Sequence, residues 1–260
     1  MDGKQKIAII IPTYNEVQNI ENLIAEVLRF QPESVVLIVD DNSPDGTGRI
    51  VDILSERTDK IAVLHRVQKG GLGAAYRDGF KYALSQEKGY SRIVQMDADF
   101  SHQPKYLIDL LKTAEDKDFS IGSRYTPGGK ILDWGGARRL LSSLANTFVR
   151  FWLGIKVRDC TSGFRCFRRD VLEDLGLETI KSKGYLFQIE LLYRCLKRGY
   201  SFKEVPITFV ERKQGKTKLG LKDVWEAFWG VLRLRFFKGM QPRVSDRWEQ
   251  ESRQKVEAYQ

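Results

Sequence analysis

Short apolar segments alternate with segments of helical periodicity through the first half of the chain. The apolar segments occupy 6–11, 35–39, 61–64, 92–96 and 119–122. Between them, apolar residues recur at helical spacing in 20–28, 47–55, 72–85 and the region after Pro104. Near-continuous apolar strands that alternate with helices are typical of a doubly wound, mostly parallel sheet with helices on both faces. The pattern therefore predicts an α/β fold.

The second half is less regular until its end. We expect helices near 140–151 and 184–200, a polar loop at 159–169 and a strand within 204–212. Segment 220–238 predicts an amphipathic helix. Its apolar face would comprise Leu221, Val224, Trp225, Phe228, Val231 and Leu232. We therefore expect one large domain over 1–219, the amphipathic helix over 220–240, and a polar, disordered tail over 241–260.

The net charge of +9 is concentrated around this helix. Nine Lys or Arg and only two acidic residues lie between 212 and 243. Such a segment suits the phosphates of nucleic acid, an anionic membrane or a phosphorylated substrate. Because its aromatic residues are interleaved with basic ones, the helix fits a membrane interface. Packing against the protein body is the alternative, and both can hold.

Cysteine usage and hydropathy bear on the compartment. The three cysteines do not suggest a disulfide framework and fit a reducing compartment. No signal peptide and no apolar run of about 18 residues is present, so no transmembrane helix is expected. We therefore predict a cytoplasmic protein that contacts the cytoplasmic face of a membrane peripherally.

Polar clusters follow the predicted strands. PTYNE follows the first, DDNSPDG the second, KGGLG the third and DAD the fourth. In open α/β sheets ligands bind beyond the carboxyl ends of the strands, so these clusters predict one site. KGGLG lacks both the GK[ST] of a phosphate-binding loop and the GxGxxG of a dinucleotide fold. A P-loop kinase and a nicotinamide dehydrogenase are therefore excluded.

Asp97 and Asp99 stand at alternate positions of an extended segment, so both carboxylates can point the same way. Two carboxylates this close repel each other unless a cation compensates. Mg²⁺ is commonly held by one or two carboxylates together with substrate phosphates. With Arg124 after the fifth strand and the cationic group Arg212, Lys216 and Lys218, the pair is suited to holding a diphosphate.

Eight motifs occur in order from about residue 7 to 221. They are IPTYNE, VDDNSPDGT, KGGLGAAYRDG, MDADFSH, GSRY, DCTSGFR, GYLFQIE and EVPITFVER followed by GKTK. In this order they resemble the family-2 glycosyltransferases of the dolichol-phosphate (polyprenol-phosphate) mannose synthase type. The resemblance implies a GT-A fold, with Mg²⁺ or Mn²⁺ as cofactor. It also implies inverting transfer of mannose from GDP-mannose to a polyprenyl or dolichyl phosphate.

The resemblance also implies roles for individual residues. Nucleotide-sugar binding would involve Pro12, Tyr14, Glu16, Asp40, Asp41, Asp97, Ala98, Asp99, Arg124, Arg212 and Lys218. The metal would be held by Asp97 and Asp99, with Asp99 as the principal ligand. The catalytic residues would be Asp99, Arg124, Arg138, Ser142 and Arg212, of which Arg124, Arg138 and Ser142 meet phosphates, the acceptor's included. Gln188 and Glu190 would contact the sugar or brace their helix.

Three alternatives remain at this stage. The same scaffold could use UDP-glucose, because base and sugar specificity rest on few contacts. A non-enzymatic nucleic-acid-binding module is disfavoured, since the Asp-rich edge would repel a polyanion. A catalytically inactive scaffold subunit conflicts with the presence of every expected phosphate- and metal-binding residue. Some relatives carry transmembrane helices after the catalytic part and this chain does not, so a membrane-anchoring partner protein is conceivable.

Overall fold

The computed structural model describes residues 6–87, 89–211 and 221–236, the last of these without the side chains of 221–224. The strands are β1 Ile7–Thr13, β2 Ser34–Asp40, β3 Ile61–His65, β4 Arg92–Gln95, β5 Phe119–Ser123, β6 Lys130–Leu132, β7 Arg165–Arg168, β8 Phe202–Pro206 and β9 Thr208–Val210. The helices are α1 Ile20–Phe30, α2 Thr47–Ser55, α3 Leu72–Ser85, α4 Leu107–Asp116, α5 Gly136–Leu153, α6 Arg169–Asp174, α7 Gly184–Lys197 and α8 Leu221–Leu234. All five strands predicted in the first half are confirmed.

The central sheet has seven strands in the order β3-β2-β1-β4-β7-β5-β8. Every pairing in it is parallel except those of β7, which runs antiparallel between β4 and β5. The predicted polar loop at 159–169 therefore ends in a central strand. The single strand expected in 204–212 is two strands, since β8 pairs with β5 while β9 pairs with β6 in a separate two-stranded sheet.

The sheet is covered on both faces, as the alternating pattern predicts. One apolar cluster joins it to α3, α5, α6, α7 and α8, and the other joins it to α1, α2 and α4. α3 approaches β1 and β2 closely at Gly79, where a Cβ would lie 2.6 Å from Ile10 Cγ2 and 2.9 Å from Val39 Cγ2. The residue must be small there because the helix and the sheet already touch.

The amphipathic C-terminal helix α8 packs on the protein body. Val231 and Leu234 are buried, and the Phe228 ring stacks on Phe148 of α5 at 5.1 Å between centroids. Trp225 and Trp229 nevertheless remain more than half exposed. Docking is thus confirmed, and an aromatic face is left uncovered on the same helix.

α5 begins as a projecting helix. None of its first ten residues is buried, and its first buried residue is Asn146. Leu140, Leu141 and Leu144 are each more than half exposed. Among the described residues, no helix combines the length and apolarity needed to cross a membrane.

Candidate active site

A cleft of about 1030 Å³ opens at the carboxyl ends of the parallel strands. Of the predicted site residues, those in its wall are Pro12, Tyr14, Glu16, Asp41, Asp97, Ala98, Asp99, Arg124 and Arg138. Asp40, Ser142, Gln188 and Glu190 lie outside the wall. Arg212 and Lys218 fall outside the described residues. Polar clusters that are distant in the sequence therefore meet at one edge of the sheet, as the strand pattern predicts.

The two aspartates after β2 hold neighbouring loops. Asp40 accepts hydrogen bonds from Thr13 Oγ1 at 2.9 Å and from the Ser43 N–H and hydroxyl at 3.0 and 2.6 Å. Asp41 accepts from the Arg66 guanidinium and from the N–H groups of Gly70 and Gly71. The glycine-rich segment therefore binds a carboxylate of its own chain. A direct role of either aspartate in nucleoside binding stays a prediction.

An aromatic–cation pair stands beside these loops. The Lys69 ammonium lies 3.6 Å from the centroid of the Tyr14 ring, and both residues are in the cleft wall. Such a contact is attractive because the ring face carries negative charge density. Sequence analysis missed Lys69, although its place just before the glycines of KGGLG could have drawn attention to it.

The DAD segment after β4 is held from several sides. The Tyr76 hydroxyl donates to Asp97 Oδ1 at 2.9 Å, and the Asp97 N–H donates to His102 Nδ1 at 3.1 Å. Asp99 Oδ1 accepts from the Ser101 N–H at 3.1 Å and from its hydroxyl at 2.5 Å. Burial and the neighbouring charge of Asp97 hold the pKa of Tyr76 well above its usual value, so this phenol is a donor at neutral pH.

These carboxylates fit a hard divalent cation that also binds substrate oxygens. Both aspartates are in the cleft wall, and the Asp97 side chain is 32% exposed. Within the described ranges no group of three or more His, Cys, Asp or Glu residues is arranged to hold a metal. A cation here would therefore complete its coordination with phosphate oxygens or water, as Mg²⁺ commonly does.

Arg124 is paired with a carboxylate that sequence analysis missed. Its Nε and Nη2 donate to the two Asp159 oxygens, each at 2.7 Å, and Nη2 also donates to Thr161. Burial opposes the charged carboxylate, but the Arg124 charge and hydrogen bonds outweigh it and lower the pKa of Asp159. The pair fixes the guanidinium in the cleft wall, and Arg124 as a residue is 9% exposed. Asp159 belongs to DCTSGFR, a motif that carried no residue assignment.

Arg138 reaches the cleft from the first turn of α5. Its guanidinium contacts Glu211 and lies 4.3 Å from the Trp134 ring centroid. Arg124 lies 5.6 Å from the centroid of the same ring, so one indole stands between two cations. Ser142, one turn along α5, accepts a hydrogen bond from the Tyr125 hydroxyl at 2.8 Å. Trp134 and Glu211 were not predicted as site residues.

The contacts of Gln188 and Glu190 favour the bracing role over the sugar-binding role. Glu190 pairs with Arg194 one turn along α7, at 2.6 Å. Gln188 Oε1 accepts from Gln95 Nε2 at 2.7 Å. Its backbone carbonyl accepts from Arg165, a fully buried side chain whose pKa burial lowers to about 10. Gln188 thus ties α7 to the end of β4, just before the DAD segment, and Glu190 holds Arg194 within α7.

The part of the cleft wall formed by residues 181–185 and by α8 is basic and aromatic. Its wall there contains Lys181, Lys183, Tyr185, Trp225, Trp229 and Arg233. The two tryptophans and Arg233 come from α8 and are continuous with the uncovered face of that helix. The cleft therefore runs from the carboxylates to an aromatic surface.

Comparisons with known proteins show the family of this chain. The sequence profile described as "Glycosyl transferase family 2" matches residues 8–176. A polyprenol monophosphomannose synthase from Mycolicibacterium smegmatis is 45% identical over 234 residues, which cover 87% of this chain and 88% of that protein. An undecaprenyl-phosphate mannosyltransferase from Micrococcus luteus is 43% identical over 228 residues, which cover 88% of this chain and 93% of that protein.

Solved structures are similar in fold. A mannosyltransferase from Pyrobaculum calidifontis, in complex with GDP-Man and Mn²⁺, superposes with a TM-score of 0.59 at 17% identity. The superposition covers 91% of this chain and 65% of that chain. The expected GT-A fold is thereby confirmed. The profile match and the two relatives together establish that this chain belongs to glycosyltransferase family 2.

Proposed function

We propose that this protein transfers mannose from GDP-mannose to a polyprenyl or dolichyl phosphate. The observation that carries the proposal is a single cleft in which Asp97 and Asp99 face the same space as Arg124 and Arg138. Carboxylates suited to a cation and arginines suited to phosphate are what a nucleotide-sugar donor and a phosphate acceptor require. Two relatives at 43–45% identity are named for transfer to polyprenol or undecaprenyl phosphate.

The reaction we infer is a single in-line displacement at the anomeric carbon. The acceptor phosphate carries its own nucleophilic charge, since the second pKa of a phosphate monoester is about 6. It therefore needs little help from a general base. The task of the protein is to position the two reactants and to stabilise charge. Arg124, held by Asp159, and Arg138, held by Glu211 and Trp134, present fixed cations to the acceptor phosphate.

The donor end depends on the DAD segment and the loops around it. We propose that Tyr14, Glu16 and Asp41 contact the nucleoside and that Asp97 and Asp99 hold Mg²⁺ or Mn²⁺ against the diphosphate. A bound divalent cation would neutralise charge on the departing GDP. The chain's own contribution is to hold both carboxylates in place, and Asp99 is fixed through Ser101.

The lipid end of the acceptor must remain in a bilayer, so the protein must reach a membrane surface. We propose that the apolar faces of α5 and α8 lie on the cytoplasmic face of a membrane. We call these faces the lipid face, defined by Leu140, Leu141, Leu144, Phe151, Trp225 and Trp229, which are all more than half exposed. A basic residue near an anionic bilayer contributes about 1 kcal/mol of attraction. Trp225 and Trp229 of this face also line the cleft, so we propose that an acceptor phosphate enters it while its tail stays in lipid.

A competition experiment separates the proposed donor from UDP-glucose. Purified protein is loaded with labelled GDP-mannose and Mn²⁺, and unlabelled GDP or UDP is then added. We expect GDP to displace the label at a concentration at least tenfold lower than UDP. Preferential displacement by UDP would assign the glucosyl alternative instead.

The substitution Asp99→Asn tests the assignment of Asp99 as the principal metal ligand. Asp99→Asn keeps the size of the side chain and removes its charge, so mannosyl transfer should fall by orders of magnitude. Undiminished transfer by this variant would rule out Asp99 as the principal metal ligand. Asp109→Asn, in the first turn of α4 and outside the cleft wall, is the matched control and should behave as wild type.

A further inference from the structure

Tyr76 is buried directly beneath the cleft. It lies on α3 with no exposed surface, and its ring is stacked between Phe80 and Phe187 at centroid distances of 6.0 and 6.1 Å. Both rings are roughly parallel to the phenol ring, at interplanar angles of 23° and 4°. Its hydroxyl donates to Asp97 Oδ1 at 2.9 Å. The Tyr76 hydroxyl therefore connects the apolar core to a carboxylate of the cleft wall.

The Asp97 carboxylate is confined on its other sides as well. His102 Nδ1 lies 3.7 Å from Asp97 Oδ2 and accepts a hydrogen bond from the backbone N–H of Asp97. The His102 ring stacks on Phe164 at 5.0 Å between centroids. Gly163 closes a further side, because a Cβ on this residue would lie 3.3 Å from both Asp97 oxygens. The side chain still keeps 32% of its surface exposed. Asp97 is therefore fixed by the core and remains open to the cleft.

We propose that Tyr76 is a positioning residue for the metal-binding carboxylate Asp97. By engaging Oδ1, the phenol fixes the rotation of the carboxylate group, so the group meets the cation and the diphosphate in one orientation. The same hydrogen bond offsets part of the repulsion between Asp97 and Asp99 when no cation is bound. Removing an outer partner of a metal ligand typically lowers metal affinity by about 10–100-fold. This inference rests on the proposed function.

Tyr76→Phe tests the proposal because it deletes one hydroxyl and keeps the stacked ring. Binding of Mn²⁺ in the presence of GDP is measured by the electron paramagnetic resonance of the free ion. We expect the affinity of Tyr76→Phe for Mn²⁺ to fall by about 10-fold or more. The melting temperature of the same sample shows whether the variant is folded.

Tyr200→Phe is a matched control. The Tyr200 hydroxyl also donates to a carboxylate, Asp174 Oδ2 at 2.7 Å, and Tyr200 is 4% exposed. Neither residue is in the cleft wall. The control should keep wild-type Mn²⁺ affinity within about twofold. An equal loss of Mn²⁺ affinity in both variants would overturn the proposal, because general destabilisation would then explain it.

A double-mutant cycle with Asp97→Asn separates positioning from structural support. If Tyr76 acts through Asp97, the double variant should bind Mn²⁺ no more weakly than Asp97→Asn alone. Independent, multiplying losses would overturn the proposal, as would wild-type Mn²⁺ affinity in folded Tyr76→Phe. Gly163→Ala, whose added methyl group would lie 3.3 Å from both oxygens of the same carboxylate, should also weaken Mn²⁺ binding. It provides the test if Tyr76→Phe does not fold.

The same experiment distinguishes failure of this inference from failure of the metal assignment. Wild-type Mn²⁺ affinity in both Asp97→Asn and Asp99→Asn would show that the carboxylates do not hold the cation. Loss of affinity in those two variants, with none in Tyr76→Phe, would reject only the positioning role.

Discussion

Arg124 and its buried partner Asp159 show which contacts of a single residue can be predicted from the sequence. Arg124 was predicted from its place after a strand, whereas Asp159 lies 35 positions away and approaches it only in the folded chain. Both carboxylate oxygens of Asp159 bond the Arg124 guanidinium. Each charge therefore has a partner in a buried site, where an unpaired charge would destabilise the fold. The same holds for Tyr76, which belongs to KGGLGAAYRDG but whose contact with Asp97 depends on tertiary packing. Trp134 lies in none of the eight motifs, so only the folded chain places it in the site.

Removing the Asp159 charge should destabilise the fold. Asp159→Asn leaves Arg124 buried without its counter-charge, and breaking a buried pair in this way typically costs about 3–5 kcal/mol. Urea unfolding followed by circular dichroism measures the change. Glu173→Gln, which breaks the exposed pair with Arg169, should cost less than about 1 kcal/mol. Equal effects of the two changes would contradict this account of Asp159.

Asp159 also predicts a dependence of stability on pH. The pKa of Asp159 in the folded protein is lowered from the ordinary value of 3.8. Its contribution to the free energy of unfolding is therefore complete above pH 3.8. The contribution is lost as the pH falls below 3.8 and through the folded-state pKa. We therefore expect the difference in unfolding free energy between wild type and Asp159→Asn to shrink in this acidic range. A difference independent of pH between 7 and 2 would contradict the prediction.

At the scale of elements, periodicity predicted every helix except the short α6, but not which apolar residues the helices bury. Leu140, Leu141 and Leu144 have the spacing of a core helix, yet all three are exposed because α5 projects at its start. β6 was not predicted and β9 was not separated from β8, since three-residue strands carry too little pattern. The pairing of β6 with β9 nevertheless places Trp134 and Glu211, which follow these strands, in the cleft wall.

The lipid face makes the first prediction at the scale of elements. Leu141→Asp/Leu144→Asp places two anions on it and should abolish sedimentation with anionic vesicles at low salt. Ile53→Asp, an exposed apolar residue of α2, is the control and should sediment as wild type. Transfer to a short, water-soluble acceptor phosphate should be unchanged in both. A wild-type protein that fails to bind vesicles would indicate that a membrane-anchoring partner is needed.

The contact of α3 with the sheet predicts a loss of stability in Gly79→Ala. The added methyl group would lie 2.6 Å from Ile10 Cγ2, and overpacking of this kind typically costs about 1–3 kcal/mol. Thermal unfolding measures it. Gly136→Ala, where the methyl meets nothing within 4 Å, should leave the melting temperature unchanged or slightly raised. Equal melting temperatures of wild type and Gly79→Ala would show that the helix can move away.

At the scale of the whole molecule, strand–helix alternation predicted the sheet, its direction and the edge that carries the cleft. It could not predict that β7 inserts antiparallel between β4 and β5, because that order depends on long-range pairing. The identity of the reactants depended on eight motifs in order, since local chemistry alone leaves the sugar and the base open. We propose that the fold and the cleft together place a nucleotide-sugar site beside the lipid face.

One reaction tests directly whether the protein transfers mannose from GDP-mannose to a polyprenyl phosphate. Purified protein is incubated with Mg²⁺ or Mn²⁺, polyprenyl phosphate in vesicles, and GDP-mannose or UDP-glucose labelled in the sugar, and the lipid is then extracted. The account predicts a labelled lipid from GDP-mannose, none from UDP-glucose, and none when the metal is chelated. Labelled lipid from UDP-glucose alone, or none from GDP-mannose with vesicle-bound protein, would contradict it.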